Sequence, residues 1–176
     1  MAKLINDLLN NDPAPDFTDP LGLLRACHQR ILGFCDLLEK VASHINNHGV
    51  DDEAKQAAKK IYRYFSTSAK LHHLDEEQDL FPLVVNQSLE ITAIVHELKQ
   101  EHITLDAVWN DIELLLAKPA SIEAVRDFSQ RVDLFCLAYR QHVAKENKKF
   151  LPIAQHLISA EQLQELGYKM QKRRQP

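Results

Sequence analysis

The segment His72-His73-Leu74-Asp75-Glu76-Glu77-Gln78-Asp79-Leu80-Phe81-Pro82 returns later in the chain as His142-Val143-Ala144-Lys145-Glu146-Asn147-Lys148-Lys149-Phe150-Leu151-Pro152. In both copies the histidine precedes a glutamate by four positions and a proline by ten, with a Phe/Leu pair before the proline. Phe65 and Phe135 each stand seven residues upstream of the histidine. An internal repeat of this kind means that the two halves are built on one plan. On a helix, a His and a Glu four apart project from the same face, one turn apart. The repeat also resolves an ambiguity, because HHLDEE offers both His72/Glu76 and His73/Glu77. The counterparts of the second pair are Val143 and Asn147, which cannot form the same chelate. The inward stripe Phe65, Ala69, His72, Glu76 makes the same selection, leaving His73 and Glu77 as flanking residues.

Outward from these segments the chain reads as helical nearly throughout. Asp19-Pro20 is a helix start, with Asp as N-cap and Pro at the first helical position. Helix A follows to about Asn47, before Gly49, with Leu24, His28, Ile31, Cys35, Leu38, Ala42 and Ile45 on one stripe. Asp51 or Asp52 caps helix B, which carries Ala54, Ala58, Ile61, Phe65, Ala69, His72 and Glu76 inward and should end or kink at Pro82. Ser88 opens helix C, with Ile91, Val95, Leu98, His102, Leu105 and Trp109 inward, and Lys118-Pro119 ends it. Ser121 caps helix D, with Val125, Phe128, Val132, Phe135, Tyr139, His142 and Glu146 inward. A last short helix begins at the capping box Ser159 to Gln162 and stops at Gly167. Residues 1–20 hold Pro13, Pro15 and Pro20 and read as a lead-in, with a short helical turn around Leu4 to Leu9. The expectation is an all-α, up-and-down four-helix bundle in a single domain over 1–176, with a core of about 20–150 and a C-terminal extension over 151–176.

Bulk properties narrow the function. The chain has 176 residues, 45% apolar and 26% charged, with a formal charge of -4. No long stretch is uniformly basic, which excludes a nucleic-acid-binding body. The Lys169–Arg174 cluster reads as a solvated tail. No apolar run is long enough to span a bilayer, and the N-terminus lacks the apolar stretch of a signal peptide. Cys27, Cys35 and Cys136 form no CxxC pair, so a reducing cytoplasm is the expected setting.

Two His/Glu pairs from helices B and D, with single histidines from A and C, converge on the axis of such a bundle. The set is His28, His72, Glu76, His102, His142 and Glu146. Buried without metal, its two carboxylates would lose hydration uncompensated or become protonated. Two divalent cations neutralise them, with both carboxylates bridging and the histidines dividing as His28/His72 and His102/His142. Imidazole with carboxylate suits iron, manganese or zinc, and the absence of cysteine argues against a thiolate zinc site. Six protein ligands for two ions leave room for exchangeable small ligands.

Through His28 in LRACHQRI, the HHLDEEQDLFP segment, Glu101-His102 and HVAKENKKFLP, the chain resembles the hemerythrin HHE cation-binding domain family over about residues 20–158. The resemblance implies an up-and-down four-helix bundle around an oxo- or hydroxo-bridged non-haem di-iron centre. Oxygen-carrying hemerythrins have a further histidine four residues before the one on helix C, where this chain has Leu98. The six-ligand set is more similar to the di-iron domain of iron–sulfur cluster repair proteins. Those generally add an N-terminal domain with a cysteine pair, and residues 1–20 contain no cysteine. The implied partner is a small molecule (oxygen, nitric oxide or peroxide), with a role in stress response or iron–sulfur cluster repair. Iron storage or donation, or a bundle merely held together by metal, are the competing expectations.

Other candidates carry less. His44 and His48 lie four apart at the end of helix A and read as solvated, favoured there by the helix dipole. His96 and His156 have no partner at chelating spacing. Cys27 points about 100° away from His28 around the helix. Tyr139, one turn before His142, is a candidate to reach the site with its hydroxyl from outside the ligand set.

Overall fold

A computed structural model describes residues 15–119, 122 and 125–175. They are almost wholly helical, and no strand occurs among them. Helix α1 spans Pro20–His48, opened by Asp19, whose carboxylate accepts from Gly22 N at 2.9 Å. It ends at Gly49, where φ of 77° requires the left-handed conformation that glycine adopts without strain. After a short turn, α2 (Asp52–Arg63) starts at Asp51, whose carboxylate accepts from Ala54 N at 2.8 Å. The chain then stays helical through a π-helical turn π1 (Tyr64–Ala69), α3 (Lys70–Leu74), a second turn π2 (Asp75–Leu80) and α4 (Phe81–Val84). Ser88 caps α5 (Leu89–Ala117) through Ile91 N. Helix α6 (Val125–Lys145) runs into π3 (Glu146–Phe150) and α7 (Leu151–Leu157). The cap predicted at Ser121, the Val125 side chain and the turn predicted around Leu4 to Leu9 lie outside the described residues.

Pro82 does not end its helix. In an unbroken α-helix its ring would clash with the carbonyl of Gln78 and leave that carbonyl without a donor. Instead the helix widens before the proline, and Phe81 N–H donates five residues back to Glu76 O. The second half does the same: Leu151 N–H donates to Glu146 O just before Pro152. Each inward glutamate thus lends its carbonyl to the widened bond of a π-helical turn, a deformation that often marks functional positions in helices.

The long segments pack in a ring: α1 on α2, α2 on α5, α5 on α6, and α6 on α1. All described residues of the four predicted inward stripes are buried. Their apolar members join other buried residues in two clusters. One contains Ile31, Phe65, Trp109, Phe135 and Tyr139; the other contains Leu24, Phe81, Leu98, Phe150 and Met170. The repeat is visible in the packing, since Phe65 meets Phe135 edge to face at 5.0 Å and Phe81 meets Phe150 at 5.1 Å.

The C-terminal segment departs from expectation. Helix α8 (Ala160–Arg173) begins at the predicted capping box but continues through Gly167 rather than stopping there. Gly167 serves a close approach: a Cβ at this position would lie 1.9 Å from the carbonyl oxygen of Phe17. The basic cluster is likewise only partly solvated. Arg173 pairs with Asp75 and Asp79, and Arg174 pairs with Asp75 at 2.6 Å. Asp75 is fully buried, so its charge needs these guanidinium partners. The predicted tail is a strap from α8 onto π2.

Candidate metal centre

Between the two apolar clusters lies a single polar layer. His28 follows Leu24 by one turn and precedes Ile31, and His102 sits between Leu98 and Leu105. His72 and Glu76 fall between Ala69 and Leu80, and His142 and Glu146 between Tyr139 and Phe150. All six predicted residues converge there, each no more than 2% exposed.

The two carboxylates join the four imidazoles into two overlapping groups. His28, His72, Glu76 and Glu146 form one, and Glu76, His102, His142 and Glu146 form the other. Each carboxylate turns one oxygen to each histidine pair. Glu76 Oε1 lies 3.5 Å from His72 Nε2, while its Oε2 lies 3.4 Å from His102 Nε2. Glu146 Oε2 lies 2.9 Å from His28 Nε2, and its Oε1 lies 3.3 Å from His142 Nε2. His102 Nε2 and His142 Nε2 are 3.1 Å apart. Two nitrogens bound at right angles to one ion, each at about 2.1 Å, would be about 3 Å apart.

The donor set fits a metal, and the protein alone does not satisfy it. Both oxygens of Glu76, both oxygens of Glu146, His28 Nε2 and both ring nitrogens of His72 are buried without an aligned hydrogen-bond partner. Orphaned polar atoms are rare in protein interiors, and seven in one layer call for a bound group. Without one, the electrostatics are strained. Burial disfavours the His28 cation, yet Glu146 and Glu76 more than offset this and hold its pKa at about 10. His142, also opposed by burial, is held at about 9 by Glu146 and Glu101. His72 falls to about 4 because burial outweighs Glu76. Burial would raise Glu76, but the surrounding imidazoles, His72 foremost, keep it well below the usual carboxylate range.

Three of the ligand-type histidines are held from behind. His102 Nδ1 donates to Glu77 Oε1 at 2.6 Å, His142 Nδ1 to Glu101 Oε2 at 2.8 Å, and His28 Nδ1 to Asn147 Oδ1 at 2.8 Å. Such contacts fix the tautomer, leaving Nε2 to face the layer. Glu77, expected only to flank the site, therefore braces one of its histidines. Glu77 and Asn147 occupy matching places in the repeat, each directly after the inward glutamate, and each braces the histidine of the neighbouring single-histidine helix. That symmetry was present in the sequence.

His73 also differs from expectation. It is 7% exposed, stacks on His102 at 3.9 Å, and its Nε2 lies 3.4 Å from the Tyr139 hydroxyl, a long hydrogen bond. A nitrogen of its ring groups with those of His102 and His142. The Tyr139 hydroxyl thus faces His73, while its ring lies edge-on to His142, one of the six, at 6.4 Å between centroids. Leu98, where a further histidine would stand, is fully buried in the second apolar cluster. His44 is not simply solvated, since its Nε2 lies 2.8 Å from Asp51 Oδ2. His96 and His156 are exposed, and the three cysteines are free.

A helical fold enclosing a buried layer of histidines and shared glutamates defines a metal-site protein. The particular family follows: the chain belongs to the hemerythrin HHE cation-binding domain family, whose model matches residues 19–154. It is also similar to an uncharacterized protein of Haemophilus influenzae, 30% identical over 159 residues, which cover 90% of this chain and 92% of the relative. No helix among the described residues is long and apolar enough to cross a membrane.

Proposed function

We propose that the chain is a non-haem di-iron protein of up-and-down four-helix topology that binds or reacts with oxygen, nitric oxide or peroxide. His28 and His72 would hold one ion, His102 and His142 the other, with Glu76 and Glu146 bridging both. The observation that carries this reading is the division of each carboxylate, one oxygen towards each histidine pair. When bound, two irons supply redox chemistry and open positions for a small ligand. The protein's own part is to exclude water and to hold the imidazoles by Glu77, Glu101 and Asn147. Burial of the whole layer supports a ligand of a few atoms rather than an organic substrate. Cytoplasmic stress response or iron–sulfur cluster repair is the setting that fits this chemistry.

Anaerobic reconstitution with ferrous iron, followed by exposure to each small molecule, tests the proposal. The expected result is two irons per chain and a new charge-transfer band on oxidation. His72→Ala and Glu146→Ala should each lose the stoichiometry and the band. Iron binding without stoichiometry, unchanged in both variants, refutes the reading. Two irons that leave readily to chelators and do not react would instead indicate storage.

A further inference from the structure

The four imidazoles are not supported equally. On one side, His102 and His142 both donate from Nδ1 to carboxylates, Glu77 at 2.6 Å and Glu101 at 2.8 Å. Lys145 pairs with the other oxygen of Glu101 and with Glu97 at 2.9 Å, which holds Glu101 in place. On the other side, His28 donates to the neutral amide of Asn147, and His72 Nδ1 is buried with no partner. The repeat shows where the asymmetry arises. Glu77 is matched by Asn147, and Glu101, directly before His102, is matched by Cys27, directly before His28. Both replacements remove a negative charge from the same half.

An imidazole whose Nδ1–H is held by a carboxylate is a more basic donor at Nε2 than one held by an amide or by nothing. It is also fixed in ring orientation, so less freedom is lost when an ion arrives. Both effects act in one direction at His102 and His142. His73 adds a third imidazole beside that pair, stacked on His102, with no counterpart at Val143.

We infer that the two ion positions are inequivalent: the His102/His142 position fills first and holds its ion more tightly, with Glu77 and Glu101 as its positioning residues. The inference rests on the two-ion reading above. It makes the centre a stepwise one, with a one-ion state populated at low metal supply.

Calorimetric and visible-absorption titration of the metal-free protein with cobalt(II), without oxygen, separates the outcomes. Two resolved steps are expected. His28→Ala should retain the first and lose the second, whereas His142→Ala should lose the first. Glu77→Gln and Glu101→Gln, both at partly exposed positions, should each weaken the first step roughly 10–100-fold and leave the second unchanged. Asn147→Asp should strengthen the second step, a gain that loss of folding cannot mimic. Two identical steps, equal weakening of both steps by the Gln variants, or no response to Asn147→Asp overturns the inference while leaving the two-ion reading intact. Failure to reach two ions per chain sinks that reading as well.

Discussion

At the scale of single residues, the metal-free site ties stability and metal affinity to pH in opposite senses. His28 and His142 have folded pKa values of about 10 and about 9, above the ordinary value of 6.5. A raised histidine contributes stability in full below 6.5 and loses it as pH rises through the folded value. His72, lowered to about 4, does the reverse: the unfolded chain binds its proton first, so stability falls as pH drops from 6.5 towards 4. The metal-free protein should therefore melt highest near pH 6.5 and lower at pH 9. Metal binding displaces the same protons, so affinity should rise over the same alkaline range with proton release. Thermal melts with chelator, set beside titrations in two buffers of different ionisation enthalpy, check both trends. Gly167 makes a simpler residue-scale prediction. Gly167→Ala places a Cβ 1.9 Å from Phe17 O and should destabilise by about 1–3 kcal/mol, read as a lower melting temperature.

At the scale of elements, the strap from α8 is the most testable feature. Asp75 is fully buried, and Arg173 and Arg174 are its charged partners. Removing a partner from a buried pair costs about 3–5 kcal/mol, and the partial exposure of these arginines brings the expectation for Arg173→Ala/Arg174→Ala to roughly 2–3 kcal/mol. Hydrogen exchange should show α8 and π2 losing protection together while α5 keeps its own. The strap was illegible in the sequence because charge runs near a terminus are usually solvated, and its partner Asp75 is separated from it by most of the second half. The helices themselves were legible, because Asp19, Asp51, Ser88 and Ser159 cap where their chemistry directs and the 3.6-residue stripes were clean. The six inward polar residues were legible for the same reason, reinforced by the repeat. The π-helical turns were not, since Pro82 and Pro152 announce a disturbance without saying whether the helix will break or widen. His73 reads as flanking because its counterpart in the repeat is Val143, and it sits on a short helix between π1 and π2, where a count of 3.6 residues per turn does not hold.

At the scale of the whole molecule, the fold carries two apolar clusters joined through a layer that its own side chains leave unsatisfied. Metal should therefore act as a stabilising ligand of the folded state. At a free ion concentration one hundred times the dissociation constant, the gain is about 2.7 kcal/mol. For a chain of this size that corresponds to a rise in melting temperature of roughly 5–10 °C, reversed by chelation. Differential scanning with and without iron or zinc measures it, and His142→Ala should remove most of the shift.

Hydrocarbon closes the polar layer on both sides along the bundle, and this has a kinetic consequence. Each of the layer's six ligand-type side chains is no more than 2% exposed, so an ion in solution should reach them when neighbouring helices part. Loading of the folded protein should then follow the clock of the bundle's breathing rather than the rate of diffusion. Its velocity should saturate with metal concentration and climb roughly 3–6-fold per 10 °C, as unfolding rates do. Uncharged diatomic molecules need a far smaller opening. In stopped-flow measurements on the loaded protein they should enter orders of magnitude faster than the iron did, making the bundle a sieve by charge and size.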